Sequence, residues 1–319
     1  MIEAADIRAA LPHALLHVEL PELGPRVEGK VRDAFVVDGQ RILVTTDRVS
    51  AFDRVVGAIP FKGQVLNQLS AWWFEQTRDL VGNHVASIPD PNVTVAHEAA
   101  PLPVEVIVRG YITGVTSTSL WTLYSQGVDK PYGLTLPSGL KRNDALPEPV
   151  ITPTTKATGG AHDERLTPDE VVSQGLVEAK LWSEVQLVAL EVFRRGQEVA
   201  ARAGLILVDT KYEMGLDKDG KITLIDEVHT PDSSRYWYAD DYEQRFENGE
   251  NPRSLDKEFV RRSLIEAGFS GEGEPPTLDD ELRVEAAKRY AEILSVVTGE
   301  AFEGDARDPE KRIRSALGL

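Results

Sequence analysis

The segment DEVHTPDSSRYW, residues 226 to 237, holds the densest group of side chains capable of chemistry: acids, a histidine, hydroxyls and an arginine. It directly follows the apolar run KITLI, so we interpret it as a loop at the end of a buried strand. His229 alone is weak support for catalysis, because a lone histidine is more often structural. Asp232 and Arg235 lie three residues apart in a turn that contains proline. This spacing suits either a binding site or a local ion pair.

The strand before this segment, LILVDTKYEMGL, alternates between two faces. One face is predicted to carry two leucines and three ionisable residues: Leu205, Leu207, Asp209, Lys211 and Glu213. Charges that share a face with leucines indicate the wall of a cleft. The alternative is a surface hairpin with solvated charges.

Asp219-Gly220 predicts the turn of a hairpin that returns through Asp226. A two-residue loop would pair Glu213 with Asp226, whereas a four-residue loop would pair Glu213 with Leu224 and Lys211 with Asp226. Both registers place Glu213 and Asp226 on one face. Neighbouring carboxylates repel unless a cation lies between them, and Mg²⁺ completed by phosphate oxygens is the cation that suits oxygen ligands.

Two other segments supply cations. In GKVRD, Gly29 allows a ligand close to the backbone, and Lys30 and Arg32 share one strand face, as a phosphate clamp requires. Two basic residues on a strand are also commonly solvated. Arg109 ends the apolar strand in VIVRGYITG, where a guanidinium could anchor an anion or pair with one of the many acids. The hydroxyl-rich VTSTS follows it.

The elements that must position these residues are predicted from turn signals and hydrophobic spacing. Asp38-Gly39 predicts a hairpin over residues 27 to 46. Thr167 with Pro168 and Glu170 forms a capping box that predicts a helix start. Further helices are predicted over residues 63–80 and 178–203, with one more in the C-terminal part over residues 277–299. Strands occur in hairpins rather than in strand–helix alternation, so an α+β fold is predicted.

Composition excludes several classes of protein. The 319 residues are 41% hydrophobic, and 35 basic against 52 acidic residues give a net charge of −17. Nucleic acid and anionic membranes would be repelled, although a small anion needs only a local basic pocket. The chain has no cysteine, no recognisable signal peptide and no apolar run of membrane-spanning length. A soluble, cytoplasmic globular protein is expected.

Eight motifs together resemble one family. GKVRD, TTDRVSAFD, KGQVLNQLS, VIVRGYITG, TPTTKA, HDERL, DTKYEMG and DEVHTPDSSRYW occur in the order found in phosphoribosylaminoimidazole-succinocarboxamide (SAICAR) synthetases. The resemblance spans roughly residues 28 to 240, and the C-terminal part is similar to the longer form of the family. It implies a carbon–nitrogen ligase that uses ATP to join L-aspartate to the carboxylate of carboxyaminoimidazole ribotide (CAIR) in purine biosynthesis. SAICAR, ADP and phosphate are the products, and an acyl phosphate is the intermediate.

The resemblance also implies an architecture. An antiparallel β-rich nucleotide-binding lobe is expected over residues 1–108 and a larger α+β catalytic lobe with C-terminal helices over residues 109–319. ATP would bind in a cleft between them, as in kinases and ATP-grasp enzymes. A monomer is plausible.

Roles for individual residues follow from the same resemblance. ATP is expected to contact Gly29, Lys30, Arg32, Lys211 and Glu213, while Mg²⁺ binds Glu213 and Asp226. The ribotide is expected to contact Arg109, Lys156, Arg235 and one of Ser117, Thr118 and Ser119. Lys211, Asp209 and Asp232 are the expected catalytic residues, with either aspartate as the base.

One departure leaves the phosphate-binding hydroxyl open: compact relatives have a short Ala-Gly-Ser where this chain has Gly114 followed by VTSTSLW. The alternative functions are a kinase-like phosphotransferase acting on a hydroxyl and a non-catalytic nucleotide-binding protein.

Overall fold

The computed structural model describes residues 2–52, 54–156, 163–255 and 257–319. Residues 53 and 157–162, which belong to three of the predicted motifs, lie outside the described residues. The strands are β1 (Val27–Glu28), β2 (Arg32–Val37), β3 (Gln40–Thr45), β4 (Arg48–Ala51), β5 (Arg54–Ala58), β6 (Gly82–Asn83), β7 (Val85–Asp90), β8 (Val93–His97), β9 (Ala100–Tyr111), β10 (Ala145–Ile151), β11 (Thr154–Thr155), β12 (Leu205–Leu216), β13 (Ile222–Ile225) and β14 (Ser234–Tyr238). The α-helices are α1 (Ala4–Ala10), α2 (Lys62–Gln76), α3 (Leu120–Ser125), α4 (Pro168–Ser173), α5 (Ala179–Arg202), α6 (Tyr242–Glu247), α7 (Glu258–Glu266), α8 (Asp280–Thr298) and α9 (Pro309–Leu317).

A five-stranded antiparallel sheet has the order β1-β2-β3-β8-β7. Its central hairpin is the predicted one: Val37 pairs with Gln40, and Asp38 and Gly39 both have the positive φ that a tight two-residue turn requires. One face of this smaller sheet covers a core of Leu15, Val18, Leu20, Phe35, Ile42, Val44, Val93 and Ile313. β4 and β5 form a separate hairpin.

The larger sheet has the order β10-β9-β12-β13-β6, with β11 also paired to β9 and β14 to β12. All its pairings are antiparallel except β13 with β6. Helix α5 packs against β12 and β9, because its apolar residues recur along one face, as predicted. The α+β prediction is therefore confirmed.

Several local predictions are confirmed as well. The Thr167 side chain accepts from the Glu170 N–H, and the Glu170 carboxylate accepts from the Thr167 N–H, which completes the capping box. The three other predicted helices correspond to α2, α5 and α8. The prediction of only one helix in the C-terminal part was wrong, because α6, α7 and α9 also form there. Two of these are nine residues long and bury only two residues each, so few apolar positions mark them in the sequence.

The strands of the smaller sheet end at His97, and β9 belongs to the larger sheet throughout. The expected lobe boundary between residues 108 and 109 falls inside β9, and the division into functional lobes stays a prediction. No helix in the described ranges has the length and apolar composition of a membrane span. The cytoplasmic location also stays a prediction.

Helix α9 is fixed to the smaller sheet by a buried ion pair. The Arg312 guanidinium lies 2.6 Å from the Asp90 carboxylate and donates to the Asn92 side chain at 2.7 Å. Arg312 is 4% exposed and Asp90 1%. Removing one partner from such a pair leaves a buried charge without compensation, which is the costly case.

We predict that Arg312→Ala lowers the free energy of unfolding by about 3–5 kcal/mol, because the Asp90 carboxylate stays buried without its Arg312 partner. Arg314, on the same helix, pairs with the half-exposed Glu22, so Arg314→Ala should lower the free energy of unfolding far less. Urea unfolding followed by tryptophan fluorescence measures both. Equal losses in the two variants would contradict the assignment.

Candidate active site

A cavity of about 650 Å³ opens between the start of β2, the β4–β5 hairpin and the β9–β12 pair. The residues expected to contact the nucleotide and the metal all line it: Gly29, Lys30, Arg32, Lys211, Glu213 and Asp226. Lys156, expected at the ribotide, and Asp232, expected to be catalytic, line it as well. Residues more than 190 positions apart in the sequence, such as Arg32 and Asp226, are in contact here. The start of β2 and the end of β13 both contribute to the cavity wall.

Asp226 lines this cavity, but the hairpin that ends at Asp226 has neither of the two predicted registers. The hairpin pairs Glu213 with Ile225 and closes through a loop at residues 217–221, so both predicted registers were wrong. Asp226 lies just past the end of β13 with a left-handed φ of 68°. This conformation breaks the strand alternation and brings Asp226 to the same cavity wall as Glu213.

The prediction that Leu207 and Asp209 lie on the same face of β12 was also wrong. The pairing of β12 with β14 has a register shift between Leu207 and Asp209. Leu207 packs toward α5, where a β-carbon added at Gly196 would lie 2.6 Å from its Cδ2 atom. Asp209 instead pairs with Arg109 on the other face of the sheet. The bulge therefore separates the core leucine from the charged positions.

In the cavity, each expected metal ligand is already paired with a cation. Arg32 donates to Asp226 at 2.8 Å and also lies 2.7 Å from Glu227. Lys156 pairs closely with Glu213, and Lys211 approaches the same carboxylate at 3.2 Å. The wall is thus a network in which carboxylates and cations alternate.

The two expected metal ligands differ in acidity. Burial raises the pKa of Glu213, but Lys211 and Lys156 outweigh it and lower that pKa to about 2. Burial raises the pKa of Asp226 to about 6, with Glu213 and Glu227 adding to the rise and Arg32 opposing it. Both carboxylates are ionised at neutral pH, but Asp226 takes up a proton in mildly acidic solution.

A second charged cluster lies farther along the same strands. The Asp209 Oδ2 atom accepts from Arg109 at 3.1 Å and from Arg235 at 2.6 Å. The Arg109 Nε atom also donates to the Thr152 hydroxyl at 2.8 Å. One carboxylate between two guanidiniums leaves this cluster, taken by itself, with a net positive charge. None of the three charged residues lines the first cavity.

The hydroxyl segment lies beside this second cluster. Ser119 is buried, and its hydroxyl caps α3 by accepting from the Thr122 N–H. Tyr132 donates to the Thr118 carbonyl at 2.6 Å, and its hydroxyl also interacts with Arg109. The Thr118 hydroxyl also bonds within the fold, to that of Thr116 at 3.3 Å, and the choice among Ser117, Thr118 and Ser119 as the anion-binding hydroxyl stays a prediction.

His229 is structural, as a lone histidine more often is. It is fully buried, its Nε2 atom contacts the Tyr212 hydroxyl, and burial lowers its pKa to about 3. A β-carbon at Gly196 would come within 2.3 Å of its ring. The close packing of α5 on this loop therefore requires glycine at that position.

Sequence reasoning missed several charged residues of the cavity. Glu105 lies directly opposite Glu213 across the β9–β12 pair, and Lys211 donates to it at 2.5 Å. As the only acid in the apolar run PLPVEVIV, Glu105 gave a signal that could have been used. Lys257 and Arg261 come from the C-terminal region, where no helix was predicted before residue 277.

Glu213 and Asp226 could hold a hard divalent cation through their oxygens. Within the described ranges no group of three potential metal ligands occurs. Mg²⁺ is commonly bound by one or two carboxylates and completed by phosphate oxygens and water.

Comparison with known proteins gives a consistent result. The family model described as SAICAR synthetase matches residues 25–276. A phosphoribosylaminoimidazole-succinocarboxamide synthase of Legionella pneumophila (strain Lens) is 48% identical over 297 residues, which cover 93% of this chain and 94% of that protein. The structure of SAICAR-synthase from Saccharomyces cerevisiae complexed with SAICAR is 32% identical, with a TM-score of 0.80 over 91% of this chain and 100% of that one.

The structure of SAICAR synthetase (Type-2) in complex with ADP has a TM-score of 0.66 at 24% identity, over 88% of this chain and all of that one, and this likeness shows the fold alone. The match of the family model to most of the chain and the two more similar proteins are sufficient for assignment. The chain belongs to the SAICAR synthetase family.

Proposed function

We propose that this protein uses ATP to join L-aspartate to the carboxylate of CAIR, giving SAICAR, ADP and phosphate. The observation that carries the proposal is the placement of two complementary clusters on the β9–β12 pair. The cavity around Glu213 and Asp226 suits a metal-bound triphosphate. The Arg109–Asp209–Arg235 cluster suits the phosphate of a ribotide. The names of the Legionella and yeast relatives support the same substrates.

The chemistry requires little of the protein beyond positioning. A carboxylate is a poor electrophile, because its charge repels an incoming amine. Transfer of the γ-phosphoryl group of ATP to the CAIR carboxylate gives ADP and an acyl phosphate. The amine of aspartate then forms the C–N bond as phosphate leaves, and the amine loses its protons. No protein nucleophile takes part, so positioning and charge neutralisation supply the catalysis.

The cavity residues have definite roles in this scheme. Mg²⁺ held by Glu213 and Asp226 would neutralise phosphate charge. Glu213 and Asp226 would share their charge with the bound metal, and the ion pairs that they form with Arg32, Lys156 and Lys211 would weaken. The three cations can then pair with the anionic oxygens of ATP and the CAIR carboxylate. The ion pairs thus hold the cations close to where substrates bind.

The function is tested by following ADP release with CAIR and Mg-ATP, with and without L-aspartate. We expect sustained ADP release only when CAIR and aspartate are both present, with SAICAR formed in equal amount. Sustained ADP release that continues without aspartate would instead favour a kinase-like phosphotransferase. ATP binding without any turnover would favour the non-catalytic alternative.

The acidity of Asp226 predicts a pH dependence of metal binding. The pKa is raised from about 3.8 to about 6, so Asp226 becomes protonated as the pH falls through 6. Because the metal needs the ionised form, affinity for Mg-ADP should fall about tenfold per pH unit below that value. Isothermal titration calorimetry with Mg-ADP from pH 5 to 8 measures this.

Two variants separate the contributions of the carboxylates. Asp226→Asn should bind Mg-ADP weakly and without the pH step. Glu213→Gln should also bind weakly but keep the step, shifted to lower pH, because Glu213 helps to raise the pKa of Asp226. The same step at the same pH in Asp226→Asn would contradict the assignment.

The arginine cluster predicts selective loss of ribotide binding. Charge-assisted hydrogen bonds contribute about 1.5–3 kcal/mol each, so Arg109→Lys or Arg235→Lys should weaken CAIR binding roughly 10- to 150-fold. Lysine keeps the charge but cannot form bidentate contacts. Calorimetric titration with CAIR, and separately with Mg-ADP, should show a change for CAIR alone.

Arg245→Lys is the control, since Arg245 pairs with Asp241 and Glu250 outside both clusters. If Arg109→Lys or Arg235→Lys binds CAIR with wild-type affinity, the substituted arginine is only a structural ion-pair partner.

A further inference from the structure

A buried ion pair lies behind one wall of the cavity. Lys62, the first residue of α2, is 0% exposed, and its Nζ atom lies 2.8 Å from the Asp232 Oδ2 atom. The Asp232 Oδ1 atom accepts from the Tyr290 hydroxyl at 2.7 Å. Tyr290 belongs to α8, so two helices from distant parts of the chain hold the two oxygens of one carboxylate.

A buried ion pair of this kind contributes little to the stability of a fold. Burying an ammonium group costs several kcal/mol, and apolar residues of similar size often replace a buried ion pair without loss of stability. Asp232, however, lines the same cavity as Glu213 and Asp226. An ionised carboxylate at this position is therefore explained better by the reaction than by the core.

Asp232 is held in its ionised form. Burial raises its pKa, but Lys62 and Lys257, together with the Tyr290 hydrogen bond, lower it to about 2. A carboxylate of such low basicity is a poor proton acceptor at neutral pH. The base role expected from the family resemblance is therefore disfavoured for Asp232.

The backbone around Asp232 links the cavity that contains Asp226 to the charged cluster that contains Arg235. The Asp232 N–H donates to the Thr230 hydroxyl at 3.2 Å, and the next carbonyl, that of Ser233, accepts from the Lys211 N–H at 2.9 Å. This loop connects Asp226 to Arg235. Displacement of the Asp232 side chain would therefore disturb Lys211 and Arg235 together.

We propose that Lys62 and Tyr290 are positioning residues that act through Asp232. They fix its carboxylate in the cavity wall and thereby set the loop between the metal-binding carboxylates and the ribotide arginines. Neither residue needs to touch a substrate. The proposal rests on the proposed function, because the loop matters for catalysis only if both substrates bind beside it.

Tyr290→Phe is the informative variant, because Lys62→Met would leave a buried charge and risk misfolding. We expect Tyr290→Phe to lower kcat about 10- to 100-fold, the effect of losing one hydrogen bond to a charged group. The affinities for Mg-ADP and for CAIR, both measured by calorimetry, should fall as well, because the loop bonds to Lys211 and leads to Arg235. In an Asp232→Asn background, Tyr290→Phe should cause no further loss, because its effect passes through Asp232.

Tyr238→Phe is the matched control. Tyr238 donates to Glu292 of the same helix α8 at 2.5 Å, and neither residue lines the cavity. Wild-type kcat is expected for this variant. Wild-type kcat in Tyr290→Phe, or a double variant in which the two losses multiply, would overturn the proposal.

The same double-mutant cycle is run on urea unfolding, so the network is tested even if turnover is absent. We expect a coupling of at least about fivefold in the unfolding equilibrium constant between Tyr290 and Asp232. No coupling would overturn the proposal. A wild-type protein without turnover on CAIR and aspartate would refute the proposed function instead.

Discussion

The antiparallel pairing of β9 with β12 brings two acids face to face, because Glu105 lies directly opposite Glu213. Like charges at such positions repel and would weaken the sheet. Lys211 bonds to both carboxylates, and Lys156 adds a second cation at Glu213. The strand pairing is thus compatible with its own sequence only when lysines occupy the space between the acids. Anionic substrates need cations in the same place.

Farther along the same two strands the balance of charge changes. Carboxylates and cations are matched around Glu213, whereas Arg109 and Arg235 share the single carboxylate of Asp209. A chain of net charge −17 repels anions at long range. The strand pair therefore contributes to a cavity of matched charges near Glu213 and to a cluster with a local excess of positive charge near Asp209.

Features set by neighbouring residues could be predicted from the sequence, and features set by distant contacts could not. The capping box at Thr167 depends on residues three positions apart, so it was found. Asp226 has a left-handed backbone that costs energy for any residue other than glycine, and only its tertiary partners, such as Arg32, offset that cost. The pair of Lys62 with Asp232 joins positions 170 residues apart, and no local pattern signals it.

Helix α9 completes the core of the smaller sheet, although it follows the strands of that sheet at a long distance in the sequence. Ile313 fills the core of the smaller sheet, and Arg312 pairs with Asp90, which lies 222 positions earlier in the chain. A ribosome therefore makes the smaller sheet first but supplies Arg312 only 222 positions after Asp90. The nascent sheet exposes apolar surface throughout that interval, the situation in which chaperones bind emerging chains.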